Sequence, residues 1–417
     1  MSTQITRRAF VETSAGLLLA FYLPARRGLA TSPAAAPFAP NAWLRIGTDG
    51  IVTLTIDRSE MGQGSQTGLA LILAEELEAD WSTIRLGPMP ENPAGWPCTM
   101  RTGGSNAIRS SWEPMRKAGA TAREMLVTAA AETWKVDRAT CRAERGVVIH
   151  VPSRRRLPYG TLVPRAASLP VPTDVPLKDP KDFRLVGTRV TRLDTPGKVD
   201  GSARFGIDVK VPGMLIASIE RSPVLGGRVK RFNADRAKAM PGVRHVVALE
   251  PSSWMGANGA WAAGCAAGVA VVADTYWQAL QARRALEIEW DEGDSGALDS
   301  LGIRAQLVAL ADQPGIVAQT IGDATAALTG AAKRLDATYD VPLLHHATLE
   351  PMNCTAHVRA GECDVWAPTQ NQGDAQRVAA EVSGLPKEKV SIHTTPSGRS
   401  EERRVGKECR SRWSPYH

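Results

Sequence analysis

The sequence predicts an α+β fold divided into about three domains. The chain has 417 residues, of which 43% are hydrophobic and 22% are charged, as is typical of globular domains. Runs with the two-residue period of strands and runs with the period of helices follow one another irregularly, without an internal repeat. At roughly 150 residues per domain, the length agrees with three domains.

The first block, residues 41–150, contains clear strand and helix signals. Residues 51–56 alternate between apolar and polar side chains, which predicts a strand. Residues 67–81 carry apolar side chains on one helical face, and the alanine-rich residues 115–134 predict a second helix.

A proline-rich stretch marks the end of this block. Seven prolines fall within residues 151–180, so we predict a linker over 151–184. Residues 185–300 then combine strand and helix signals and predict a compact α+β domain, and a third block covers 301–398. Within the second block, strand signals at 205–219 are broken by Pro212 and Gly213, strands are expected at 243–249 and 268–273, and a helix is expected at 276–286.

The N-terminal segment is typical of an export signal. Arg7, Arg8 and Phe10 precede an apolar run at 15–23, and the segment ends on small residues at 28–30, which suit a cleavage site. Twin arginines followed by Phe resemble the address of the twin-arginine route, which carries folded proteins. We therefore expect a periplasmic protein. The run is short for a bilayer, so no transmembrane anchor is expected; the alternative is a chance arginine pair before a core helix.

The charge and the cysteines exclude two classes of function. The formal net charge is +7, but residues 1–30, the expected signal, and residues 399–417 each carry +3, which leaves +1 for the rest. A near-neutral body does not predict nucleic acid as a partner. The six cysteines form no CxxC pair, so no zinc or iron–sulfur site is expected in this chain. Residues 31–40 are rich in Pro and Ala and predict a linker.

Two glycine-containing loops are candidate ligand sites. Gly62, Gln63 and Gly64 lie between a predicted strand and the helix that contains Thr67, where helix amides favour an anion. An ordinary strand–helix turn explains this pattern equally well. The second loop contains Gly103, Gly104 and Ser105 beside other small polar residues, and it is either a surface turn or a second contact for the same ligand.

A third candidate region spans residues 349–372. Gln370 follows a predicted strand, and its amide could contact a ligand. His345 and His346 precede the region, but adjacent histidines on a strand point in opposite directions, so we interpret them as structural.

Four motifs together resemble the beta subunit of isoquinoline 1-oxidoreductase, in the xanthine dehydrogenase/aldehyde oxidase family. They are Glu60-Met61-Gly62-Gln63-Gly64, Thr102-Gly103-Gly104-Ser105, Glu350-Pro351-Met352-Asn353-Cys354-Thr355-Ala356 and Thr369-Gln370-Asn371. Residues 197–208 resemble the small hammerhead domain of the same family. The resemblance covers residues 41–398 and implies a molybdopterin-binding fold with an inserted hammerhead domain at 185–300.

The resemblance also implies a cofactor and partners. Molybdopterin cytosine dinucleotide would bind with Gly62, Gln63 and Gly64 at the pterin, Gly103, Gly104 and Ser105 at the dinucleotide, and Gln370 at a molybdenum oxo ligand; Thr67 would also contact the cofactor. No protein side chain would ligate the metal. The implied reaction hydroxylates an N-heterocycle or an aldehyde with oxygen from water, and the implied electron acceptors are a small iron–sulfur subunit, which holds the clusters, and then cytochrome c.

The sequence departs from this family after Gly398. Residues 399–409 lack apolar periodicity and can be encoded by a string resembling a sequencing-library adapter, so we expect residues 399–417 to be an artefact and the family's pattern to be truncated. The family's catalytic glutamate lies further downstream, so the catalytic residue is unknown and the chain is expected to be inactive. The glutamates present in the motifs and first helix, Glu60, Glu75, Glu76 and Glu350, are not expected to replace it.

Two other functions stay open at this point. A periplasmic binding or scaffolding protein could use the same fold without molybdenum. A flavoprotein could use the glycines to bind a pyrophosphate, but the chain lacks a strand–GxGxxG–helix motif with an acidic partner.

Overall fold

The computed structural model describes residues 16–21, 42–91, 100–255, 262–342 and 348–398. The described elements form two compact units. One unit is drawn from residues 1–210 and 347–417, and the other from residues 211–346. Both mix helices and strands, which confirms the predicted α+β class.

A four-stranded sheet is the centre of the first unit. Its strands are, in order across the sheet, β1 Gly16–Phe21, β2 Ala42–Gly47, β3 Val52–Thr55 and β4 Ile84–Leu86. β1 and β2 are antiparallel, as are β2 and β3, whereas β3 and β4 are parallel. β1 comes from the apolar run of the predicted signal; the rest of that signal, the linker at 31–40 and the tail at 399–417 lie outside the described residues.

Helices cover this sheet and complete the core. α1 Ser65–Leu77 and α2 Ala107–Trp134 pack closely together. A Cβ atom on Gly119 of α2 would lie 2.4 Å from the carbonyl oxygen of Leu73, so only glycine allows this approach. α1 ends four residues before the predicted end because Glu78 adopts a left-handed conformation and stops it.

The predicted linker at 151–184 is wrong in its first half. After β5 Cys141–Glu144 and β6 Val147–His150, the chain forms β7 Arg156–Pro158 and helix α3 Tyr159–Ala167. Tyr159 is buried in the main core, and its hydroxyl donates to the Leu77 carbonyl over 2.6 Å. The many prolines in this segment predicted a linker wrongly, because Pro158 is the N-cap of a helix, a position that needs no backbone N–H.

Buried carboxylates hold the second half of that segment against α1. Glu75 accepts hydrogen bonds from the backbone amides of Arg184, Leu185 and Val186 and from the ammonium of Lys178. Burial by itself would raise the pKa of Glu75, but these hydrogen bonds outweigh it and lower the pKa. The chain therefore stays with the first unit to residue 210, rather than entering a second domain at 185.

The first unit is completed by a helix and by elements from the other end of the chain. The helix is α4 Thr195–Asp200, and the later elements are β15 Thr355–Arg359, β16 Glu362–Ala367, α9 Gln372–Ser383 and β17 Val390–Thr394. β15 and β16 are antiparallel, and β16 and β17 are parallel.

The second unit contains the strands predicted at 243–249 and 268–273, with those bounds. The predicted break in the strand signals at 205–219 is present as a turn at Pro212 and Gly213, and a strand begins after it at Ile216. The elements are β8 Ile216–Arg221, β9 Arg228–Asn233, α5 Asp235–Lys238, β10 Val243–Leu249, β11 Ser252–Met255, β12 Ala262–Cys265, β13 Gly268–Ala273, α6 Tyr276–Arg284, β14 Glu287–Asp291, α7 Ser300–Ala311 and α8 Ala324–Thr329. Among the described helices, none is long and apolar enough to cross a membrane.

Candidate cofactor-binding site

The turn before α1 is stabilised by a carboxylate of its own chain. One oxygen of Glu60 accepts hydrogen bonds from the backbone amides of Gly62 and Gly64, each over 2.9 Å. The two glycines have φ angles of 100° and 76°, in the left-handed region that favours glycine. The sequence left open whether this is an anion site or an ordinary turn; Glu60 occupies the two glycine amides, so a ligand would have to use other atoms of this turn.

The side chain of Gln63 is also bound within the turn. Its oxygen accepts from the Met61 amide over 2.8 Å, and its nitrogen donates to the Ser59 carbonyl over 3.0 Å and to the Ser65 hydroxyl over 2.8 Å. Thr67 lies in the first turn of α1, and its hydroxyl accepts from the backbone amide of Leu193. Both residues therefore help to fix the turn.

An arginine from a distant segment also binds the turn, through Gly62 and Glu60. Arg192 donates to the Gly62 carbonyl over 2.9 Å and lies 3.4 Å from Glu60. It also makes a two-point ion pair with Asp194. Burial alone would raise the pKa of Asp194, but hydrogen bonds from Arg192 and Lys198 outweigh it and lower the pKa from 3.8 to about 2.

The second loop meets the third region directly. The Thr102 amide donates to the Gln370 carbonyl over 2.8 Å, and the Gln370 side chain donates to the Thr102 carbonyl over 2.9 Å. Gly103 is half-buried, whereas Gly104 and Ser105 are exposed just before α2. The two motifs therefore contact each other through Thr102 and Gln370, which are 268 positions apart in the sequence.

Ser59 joins all three motifs. Its amide donates to the Thr102 hydroxyl over 2.8 Å, and its hydroxyl donates to the Thr369 carbonyl over 2.7 Å. The same hydroxyl accepts from the Gln372 side chain over 2.7 Å. Ser59 and Gln372 are completely buried. Sequence reasoning missed both residues, although the polar run from Asp57 to Glu60 directly after a strand was a visible signal.

A fourth segment also reaches this junction. The Ser397 amide donates to the Glu60 carbonyl over 3.0 Å. Glu350 accepts from the Gly398 amide over 2.9 Å and from Asn353 over 2.9 Å. The motif around Glu350 therefore fixes the segment that leads up to residue 398.

Several buried polar atoms of these segments have no hydrogen-bond partner within the described part of the chain. They are Arg58 Nε, Gln372 Oε1, Thr395 Oγ1 and Ser397 Oγ. A buried polar group without a partner costs about 1–3 kcal/mol, so such groups are rare unless a ligand or water satisfies them. The donors and acceptors gathered here suit a ligand with many oxygen and nitrogen atoms.

The other residues considered in the sequence analysis, Glu76 and the histidine pair, are not part of this junction as described. Glu76 is fully buried in ion pairs with Arg116 and Arg123, so it serves the fold, as expected. His345 and His346 lie outside the described residues. Within the described ranges, no group of three or more His, Cys, Asp or Glu side chains is arranged to hold a metal ion.

Comparison with known proteins finds similar sequences and family models. Two family models, both described as a molybdopterin cofactor-binding domain, match residues 16–207 and 310–400. Isoquinoline 1-oxidoreductase subunit beta from Brevundimonas diminuta is 30% identical, covering 94% of this chain and 55% of that protein. Membrane-bound aldehyde dehydrogenase [pyrroloquinoline-quinone] from Gluconacetobacter polyoxogenes is also 30% identical, covering 94% and 51%.

Among solved structures, quinoline 2-oxidoreductase from Pseudomonas putida 86 aligns with a TM-score of 0.38 at 19% identity, covering 52% of this chain and 32% of that one. The chain spans about half the length of the curated relatives it matches.

Proposed function

The chain belongs to the molybdopterin-binding subunits of the xanthine dehydrogenase/aldehyde oxidase family, and from this premise we propose that the whole protein is the large (beta) subunit of a molybdenum hydroxylase. Its substrate would be an N-heterocycle or an aldehyde. The observation that carries this proposal is the convergence of three distant motifs on the buried Ser59, beside polar atoms that lack hydrogen-bond partners among the described residues.

The residues at this junction have distinct roles in the proposal. Ser59 and Thr102 fix the relative position of the loops, and Gln370 and Gln372 present amide groups beside them. Arg58 is buried in an ion pair with Asp57 over 2.6 Å, which offsets its charge, and its Nε, which has no partner among the described residues, could donate to an oxygen of the ligand. We propose that the cofactor is the cytosine dinucleotide form of molybdopterin. When bound, the molybdenum cofactor would supply the redox centre for hydroxylation with oxygen from water.

Electron transfer and location are further parts of the proposal. As the family resemblance implies, electrons would pass to a small iron–sulfur subunit and onward to cytochrome c. Arg7, Arg8 and Phe10 support export to the periplasm by the twin-arginine route. The 417-residue form would be inactive, since it spans only about half of its relatives.

Isotope labelling tests the proposed reaction. The whole gene, co-expressed with an iron–sulfur subunit, is assayed with N-heterocycles and aldehydes in ¹⁸O-labelled water and an artificial electron acceptor. We expect a hydroxylated product that carries ¹⁸O. A loaded enzyme whose product takes its oxygen from O₂ would contradict the hydroxylase assignment, and a folded protein without metal would favour the binding or scaffolding alternative.

A further inference from the structure

The apolar run of the predicted export signal forms the outer strand of the first sheet. β1 pairs with β2 in antiparallel register along its whole length, from Gly16 opposite Gly47 to Phe21 opposite Ala42. Six consecutive pairs make a continuous ladder rather than an isolated contact.

The side chains of this strand enter the main core. Leu17 is 2% exposed and Leu19 is 8% exposed, whereas Leu18 between them is half-buried. Leu17 and Leu19 belong to the same buried cluster as Leu44 and Ile46 of β2. This alternation is what a strand at the edge of a half-buried sheet requires. A segment needed only for its overall hydrophobicity would not require it.

The backbone fit is also specific at the start of the strand. A Cβ atom on Gly16 would lie 2.9 Å from the Ile46 carbonyl oxygen, closer than such atoms approach in proteins. Glycine therefore allows the pairing to extend to Gly47. Independently, the matching molybdopterin-binding family model begins at residue 16 and includes β1 with the rest of the domain.

We propose that residues 16–21 are retained in the mature protein as the outer strand of this sheet. The expected cleavage site at 28–30 would remove β1, which would leave one edge of β2 unpaired and uncover the core beside Leu44 and Ile46. Twin-arginine recognition is compatible with retention, because Arg7 and Arg8 precede the strand. The proposal is independent of the cofactor.

A matched pair of variants tests whether β1 belongs to the fold. Leu17→Asp and Leu18→Asp are made in the chain that carries Arg7→Lys and Arg8→Lys, so that export does not affect the comparison. Leu17→Asp should lower the Tm by at least about 5 °C more than Leu18→Asp, because only Leu17 is in the core. It should also accelerate amide hydrogen exchange in the peptide that contains β2.

The mature N-terminus tests retention itself. Exported protein with its native arginines is analysed by intact mass and N-terminal peptide mapping, and we expect an N-terminus at or before Gly16. An N-terminus beyond Gly16, or equal effects of the two aspartate variants, would overturn the proposal.

Discussion

Removing one hydroxyl should loosen the junction of the three motifs. Ser59→Ala leaves the Thr369 carbonyl and the Gln372 side-chain amide without the partners they have now. Both groups are in a region where Ser59 and Gln372 have no solvent exposure, so water cannot replace the hydroxyl without rearrangement. The substitution removes a single atom and adds no bulk.

The size of the effect follows from the cost of buried polar groups. Leaving such a group without a partner costs about 1–3 kcal/mol, which corresponds to an increase of about 5- to 150-fold in the population of locally opened states. Two backbone amides report on this opening because they join the same segments. The Thr102 amide donates to Gln370, and the Gln372 amide donates to the Met100 carbonyl.

Hydrogen exchange followed by mass spectrometry measures this opening. Peptides that contain Thr102 and Gln372 should exchange faster in Ser59→Ala by the factor above. Ser253→Ala, the same change at an exposed serine of the second unit, is the control and should leave both peptides unchanged. Equal exchange rates in the two variants would show that Ser59 does not hold the motifs together.

Three further predictions concern export, the cofactor site and pH. Replacing Arg7 and Arg8 with Lys should reduce the periplasmic fraction of the whole protein, and unchanged export would exclude the twin-arginine route. Gln370→Ala should lower the turnover of the complete enzyme more than its thermal stability, whereas simple unfolding would show that the bond to Thr102 serves only the fold. Because folding lowers the pKa of Asp194 from 3.8 to about 2, this carboxylate stabilises the fold above about pH 4, and the stabilisation is lost as the pH falls towards 2. Unfolding measurements on Asp194→Asn should therefore lack this part of the decrease in stability at low pH.

Local sequence patterns predicted individual strands better than they predicted the boundaries between domains. The strands at 243–249 and 268–273 have the predicted bounds because apolar β-branched residues dominate them. The predicted linker at 151–184 failed because its prolines lie partly at helix starts, and because Glu75 binds amides more than a hundred residues away. Such long-range hydrogen bonds leave no local pattern.

The candidate site was predicted in its parts but not in its connections. The turn at 62–64 and Gln370 were recognised, whereas Ser59, which connects their segments, was not. Its hydroxyl contacts Thr369, 310 positions away, and no periodicity indicates such a contact. The role of Glu60 was also missed, although a carboxylate two residues before the first glycine of a turn is well placed to accept its amides.

The cofactor content of the whole protein tests the central claim most directly. The protein is purified with an iron–sulfur subunit, its molybdenum is quantified, and the nucleotide released from the pterin by acid is identified. The proposed function predicts stoichiometric molybdenum with a pterin that releases cytidine monophosphate. A folded, correctly paired protein that contains neither molybdenum nor pterin would contradict it.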